Sequence, residues 1–439
     1  MARINRTFGK GYPTWANACV GNNGCPGYWD YARGFSQAAN LLIDKVLQSQ
    51  GIKYPVDVFV YPICFNMRHS VELRLKDAIL ELRSLEEYRS RSLEYDLAGS
   101  HDIGNLWQFF TEKSAAIDDR YININNRLDT KIVDIAEIDA TGQTFRYPID
   151  TQRQTHLLNV GVINFVNLKR SFSELEALLD ELHHLNEYLL EEYAFNTFTK
   201  KLSRKNIFEI ASILPHRTKW KEPCFDSVKN NIKQNFKIGS NELSASIKII
   251  ETHFELAPMI GSSVALLGLV EKDLVEFAEH WFTVHKLSSD SDPIKNGTKE
   301  WCSEDMFRSI TRDAEFKQEA WRQMASKLTP EIMAGLLALF YFAHDLDFSE
   351  RYACIYKECL GGSVAAFERS QSNLKTQFFH ILDKRSAIHN IVKSLLFLKK
   401  GEEAERLVSA HGLDRKFSWL DEARSRSLFM KPEYCGYVI

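Results

Sequence analysis

The chain has 439 residues, more than one hydrophobic core ordinarily serves, so two domains are expected. Hydrophobic residues make up 44% and charged residues 26%, the balance of a folded globular protein and not of a disordered or fibrous one. With 55 basic against 58 acidic residues the formal charge is -3, which excludes a surface built as a whole to coat nucleic acid and leaves only a local basic face.

Residues 1–26 are rich in Gly, Pro and Asn and read as an irregular lead; "MARINRTFGKGYPTW" contains no apolar run of the signal-peptide kind. Cys19 and Cys25 flank "VGNNG", but the eight cysteines show no C-x-x-C pair and no repeated spacing. Free thiols in a reducing compartment are therefore expected, with no disulfide framework and no metal site, and the protein is expected to be cytoplasmic. In "YWDYARGFSQAANLLIDKVLQ", Tyr31, Phe35, Ala38, Leu42 and Val46 recur at helical spacing. "VDVFVYPICF" reads as an extended entry, and Pro62, at home in a first helical turn, opens a long helix to about Arg91.

On that helix Val71, Leu75, Ala78 and Leu82 form the apolar stripe. His69, Glu72 and Lys76, at i, i+3 and i+7, line its edge, with Arg68 one turn before Glu72. Ser100 is expected to cap the next helix, whose face carries Ile103, Leu106, Trp107 and Phe110, with Asp102 suited to the positive end of its dipole. "IDATGQTFRYPID" reads as a loop anchored by Phe145 and Tyr147. Phe172, Leu175, Leu179, Leu182, Leu185 and Leu189 mark a further long helix, in which His183 and His184 face different directions and are not expected to bind metal.

From about Lys200 shorter helices are expected near 207–214, 225–236, 242–253, 263–285, 330–344, 374–399 and 402–410, with "KLSSDSDPIKNGTKE" from Lys286 as the most linker-like stretch. The apolar runs at Met259 and Met333 are too short to span a bilayer and read as buried core helices, so no membrane partner is expected. His344 with Asp345, Asp347 and Glu350 reads as a helix exit, since no second histidine stands at metal-ligand spacing. The fold class is all-α or nearly so, with a first domain over 27–199 and a second over 200–439.

The strings "YWDYARGFSQAANLLI", "YPICFNMRHSVELRLKDAIL" and "HDIGNLW" resemble HEPN-like helical domains, in which H-x-x-E-L-x-L-K is followed by a helix opening H-D-L-x-x-L-W. Here the matching residues are His69, Glu72, Leu73, Leu75 and Lys76, then His101, Asp102, Ile103, Leu106 and Trp107, within residues 27–195. The resemblance implies a helical bundle, often dimeric, in a bacterial defence or toxin-antitoxin setting. Catalytic members cut RNA with R-x(4 to 6)-H, the arginine steadying the phosphate and the histidine moving the proton. This chain departs from that pattern: its first half contains no such pair, "RSAIH" at Arg385 is one residue short, and the match at Arg406 and His411 has leucine after the arginine and precedes Gly412.

Two readings of the polar line stay open: a network that fixes helix register, or a site for a ligand or RNA phosphate with Arg68, His69, Glu72, Lys76, His101 and Arg146 contributing. No Walker A loop, Rossmann fingerprint, G-x-S-x-G elbow or H-E-x-x-H occurs, and no cofactor is expected. The expected function is binding or assembly with RNA, a nucleotide or a protein partner, as a homodimer. The alternatives are a metal-independent ribonuclease using Arg406 and His411, and a scaffold without ligand.

Overall fold

The computed structural model describes residues 7–21, 23–149, 156–157, 160–285 and 303–437. Among these there is no strand, and the protein is all-α. Among the described residues no helix is long and apolar enough to cross a membrane. The chain divides into two compact units, 1–194 and 195–439, where the sequence reading places the break after 199. The linker-like stretch from Lys286 lies outside the described residues.

Among the described residues the first unit holds five α-helices: α1 (Tyr28–Gln48), α2 (Val56–Tyr88), α3 (Ile103–Ile117), α4 (Tyr121–Asp139) and α5 (Phe165–Ala194). Helix α2 is the central element, packed against α1, α3 and α5, while α4 bridges α3 and α5. Its stripe Val71, Leu75, Ala78, Ile79 and Leu82 is buried as the spacing requires. Two boundaries differ from expectation. The "extended entry" is helical from Val56, with Pro62 inside the helix, because docking on α1 outweighs the β-branched propensity of Val56, Val58 and Val60 and the missing proline donor. The cap of α3 is Asp102, whose Oδ1 accepts from Asn105 N at 3.0 Å, and not Ser100. Helix α4 has no counterpart in the sequence reading, although Tyr121, Ile124, Leu128 and Ile132 recur at helical spacing and are buried.

The second unit comprises α6 (Arg204–Ile213), α7 (Cys224–Asn235), α8 (Ser240–Thr252), α9 (Glu271–His285), α10 (Ser303–Met324), α11 (Pro330–Phe342), α12 (Glu350–Arg369), α13 (Gln371–Leu382), α14 (Ala387–Phe397), α15 (Gly401–Ala410) and α16 (Leu420–Arg424). Helices α6 to α8 share one apolar cluster, and α9 to α16 build a larger one around Phe342, Phe378 and Phe397. The run from Met259 is not a core helix. After a short 3-10 turn the chain takes left-handed conformations at Gly261 (φ 70°) and Gly268 (φ 68°), and a Cβ on Gly268 would lie 2.3 Å from the Glu331 carbonyl oxygen. The helix expected over 374–399 is two helices, broken at Asp383–Ser386.

Each unit buries an arginine among carboxylates. In the first, Arg120 bonds both Asp118 (2.8 Å) and Glu192 (2.6 Å), joining the start of α4 to the end of α5. In the second, the fully buried Arg204 bonds Glu255 (3.0 Å) and Glu350 (2.8 Å), and His253 Nε2 lies 2.9 Å from Glu350. Buried charge on this scale holds only where every donor finds an acceptor.

Candidate functional site

Residues 68, 69, 72 and 76 lie on successive turns of α2, and the structure gathers four of the predicted site residues around one carboxylate. Glu72 is buried. Lys76 Nζ donates to its Oε1 at 3.0 Å, His101 Nδ1 lies 2.9 Å from the same oxygen, Arg68 bonds Oε2, and His69 Nδ1 is 3.6 Å from Oε2. Burial alone would raise the Glu72 carboxyl; hydrogen bonds from His69, His101 and Lys76 and the charge of Arg68 outweigh it and hold the group far below the ordinary carboxylate range.

Arg68 is committed to the backbone. Its Nε donates to the Asp139 carbonyl (3.1 Å), and Nη2 donates to the carbonyls of Ala140 (2.6 Å) and His101. These carbonyls lie at the end of α4 and the entry to α3, where a helix end leaves acceptors unfilled; that of Ala140 also accepts from the Ile103 N–H at 3.0 Å. Gly142 makes room for it: with φ 79°, its position would place a Cβ 2.9 Å from Arg68 Nη1. Arg68, Glu72 and Lys76 are thus sealed from solvent, and only the His69 edge and the exposed His101 ring face outward.

Arg146 stands apart from this network. Its guanidinium lies over Phe65 (5.7 Å) and Tyr147 (5.3 Å), and Phe65 in turn stacks on His69 at 5.7 Å. It borders an open cleft of about 780 Å³ between the start of α2 and the segment leading into α5. Tyr61, Tyr147 and Val162 line the cleft and are exposed; His156 also lines it, with its Nε2 buried and without a hydrogen-bond partner. Among the described residues no carboxylate pairs with Arg146; Asp57 is the acid that shares the cleft wall. Tyr61 and His156 were not singled out in the sequence, because an alternating "VDVFVY" signals a buried strand and His156 sits in a featureless polar stretch.

Arg406 and His411 lie on α15 and its C-cap in the second unit. Arg406 pairs with Glu271 at the start of α9, whereas His411 stacks on Phe282 at 3.9 Å. Those two partners are eleven residues apart on α9, about 16 Å along the axis. Burial pulls the His411 imidazole below its ordinary value. The groups of "HDLDFSE" are engaged singly: Asp345 with Arg351 (3.0 Å), Asp347 with Lys431 (3.2 Å), Glu350 with Arg204, and His344 Nε2 with Asn390 (3.2 Å). Cys19 and Cys25 are both exposed.

No protein-family model matches the chain, and comparison with curated proteins and with solved structures finds no similar protein. The likeness to HEPN-like domains rests on the quoted motifs alone.

Proposed function

We propose that the protein is a helical binding module whose first unit takes RNA or a nucleotide in the Arg146 cleft. The observation that carries this reading is a guanidinium held against two aromatic faces, with no acid partner among the described residues, at the rim of a cleft large enough for a small ligand. A phosphate supplies the missing counter-charge, and the exposed rings of Tyr61 and Tyr147 offer faces on which a base stacks. The Arg68 to Lys76 network supports the site from behind by fixing the helices that carry it.

The defence or toxin-antitoxin setting and the homodimer are proposed on the HEPN-like resemblance, and light scattering on the purified chain tests the dimer. The ribonuclease reading has less behind it, because Arg406 and His411 are engaged by partners three turns apart on α9.

The test is fluorescence anisotropy with labelled single-stranded RNA and with a labelled nucleotide, in chelator, while gels follow RNA integrity. Arg146→Gln and Tyr147→Ala should each weaken binding at least about tenfold with folding unchanged, and Arg146→Gln should flatten the salt dependence by about one phosphate contact. Binding that ignores both substitutions would sink the reading. Cleavage abolished by His411→Ala would establish the ribonuclease in its place.

A further inference from the structure

A second cluster in the first unit has the opposite electrostatic character to the Glu72 network. Asp77 and Glu81 stand one turn apart on α2 and face His183 on α5, and one oxygen of each carboxylate and an imidazole nitrogen lie within 4.8 Å of one another. His183 Nδ1 is 3.5 Å from Glu81 Oε1 and 4.0 Å from Asp77 Oδ2; it is buried and makes no hydrogen bond of good geometry. Side-chain exposures of 18%, 15% and 14% place all three at the edge of the bundle, shielded but reachable.

No lysine or arginine among the described residues pairs with either carboxylate. Every other buried carboxylate group described above has one: Glu72 has Arg68 and Lys76, Asp118 and Glu192 have Arg120, Glu255 and Glu350 have Arg204. Burial and the adjacent Glu81 charge push the Asp77 carboxyl up to about 6, the reverse of Glu72. The arrangement sets the two carboxylates on the Nδ1 side of a single imidazole, with the more exposed Glu187 on its far side.

The surroundings orient these groups as outer partners orient metal ligands. His183 Nε2 lies 3.5 Å from the Glu187 carboxylate, an acceptor for the far N–H when Nδ1 is given to an ion; without an ion, burial opposes the charged imidazole, but Glu81, Glu187 and Asp77 outweigh it and raise its pKa. Asn186 Nδ2 donates to the second oxygen of Glu81 at 2.5 Å, and the backbone N–H of Trp29 bonds Asp77. The imidazole plane is fixed by stacking on the Trp29 indole at 3.7 Å and 13°, with Arg74 on that indole at 4.6 Å.

We propose that Asp77, Glu81 and His183 form a divalent-metal site, with Nδ1 and one oxygen from each carboxylate as ligands and a further position left for water. The set of one imidazole and two carboxylates suits a first-row divalent ion such as Zn²⁺ or Mn²⁺. Ligand atoms about 2 Å from a tetrahedral ion sit about 3.3 Å from each other, so the 3.5 and 4.0 Å separations need only small side-chain rotations. The ion's two charges match those of the carboxylates, where a protonated His183 supplies one. The inference is independent of the Arg146 cleft.

Isothermal titration of the EDTA-treated full chain with ZnCl₂ and with MnCl₂ tests it, manganese being the probe that cysteine thiolates bind poorly. One ion per chain is expected, with a raised melting temperature, and Glu81→Gln and Asp77→Asn should each weaken binding at least about tenfold. Both substitutions preserve side-chain volume, and circular dichroism verifies the fold; should one variant not fold, the other carries the test. Absence of one-to-one binding of either ion, or a folded variant that binds like the parent, overturns the proposal.

Discussion

At the scale of single residues, a charge is tolerated inside this protein in proportion to its partners. Arg68 illustrates the extreme, with one carboxylate and three backbone carbonyls around a single guanidinium. Arg68→Met removes the donor from the Asp139 and His101 carbonyls, leaves Ala140 with only the Ile103 N–H, and takes a cation from Glu72, and should cost about 3–5 kcal/mol in urea unfolding. His101→Ala, which loses one contact to the same carboxylate from an exposed ring, should cost at most about 1 kcal/mol. Equal effects would mean that the backbone bonds of Arg68 contribute nothing. The polar line was legible from its i, i+3, i+7 spacing. Its inward face was not, because its acceptors are backbone carbonyls, which no side-chain pattern reveals.

At the scale of elements, helix ends were harder to read than helix faces. The stripes of α2 and α5 were legible because long amphipathic repeats leave little room for a second interpretation, whereas on α1 the helix was legible but its face was not: Ala32, Ser36, Ala39, Ile43 and Val46 are buried, and Tyr31 of the expected stripe is exposed. The starts of α2 and α3 and the break between α13 and α14 depend on docking and on local backbone conformation instead. Lys399 shows why: it follows α14 in a left-handed conformation (φ 59°) usually given to glycine, and the Lys400 N–H closes the helix end on Leu395 O at 2.8 Å. Burial, then the like charge of Arg426, depresses the Lys399 ammonium to about 8, with Glu255 opposing. Below pH 8 both folded and unfolded chains carry this proton. Between pH 8 and about 10.4 the unfolded chain holds it and the folded chain does not, so this group makes unfolding free energy rise with pH. Lys399→Gly should raise stability by about 1 kcal/mol at neutral pH and remove that rise, as chemical denaturation at pH 7 and pH 9.5 would report. A variant less stable than the parent at pH 7 would contradict the backbone argument.

At the scale of the whole molecule, each compact unit has its own apolar core and its own buried arginine. Calorimetry should therefore resolve two transitions, with Arg120→Met lowering one and Arg204→Met the other; a single transition lowered equally by both would show one cooperative block. Length led to the expectation of two domains but says nothing of the clusters within them, since Asp77 and His183 are about a hundred residues apart in sequence.

Arg68 also has a history within each round of synthesis. Its carboxylate partner is four residues away, but its carbonyl partners lie 33, 71 and 72 residues further along the chain. At about 5–20 residues per second, roughly 4–14 s separate the appearance of the guanidinium from that of its last acceptor. Throughout that interval Glu72, on the next turn of the same nascent helix, is the counter-ion within reach. Of the acceptors in the finished network, Glu72 is thus the one Arg68 can meet before α3 and α4 have been made.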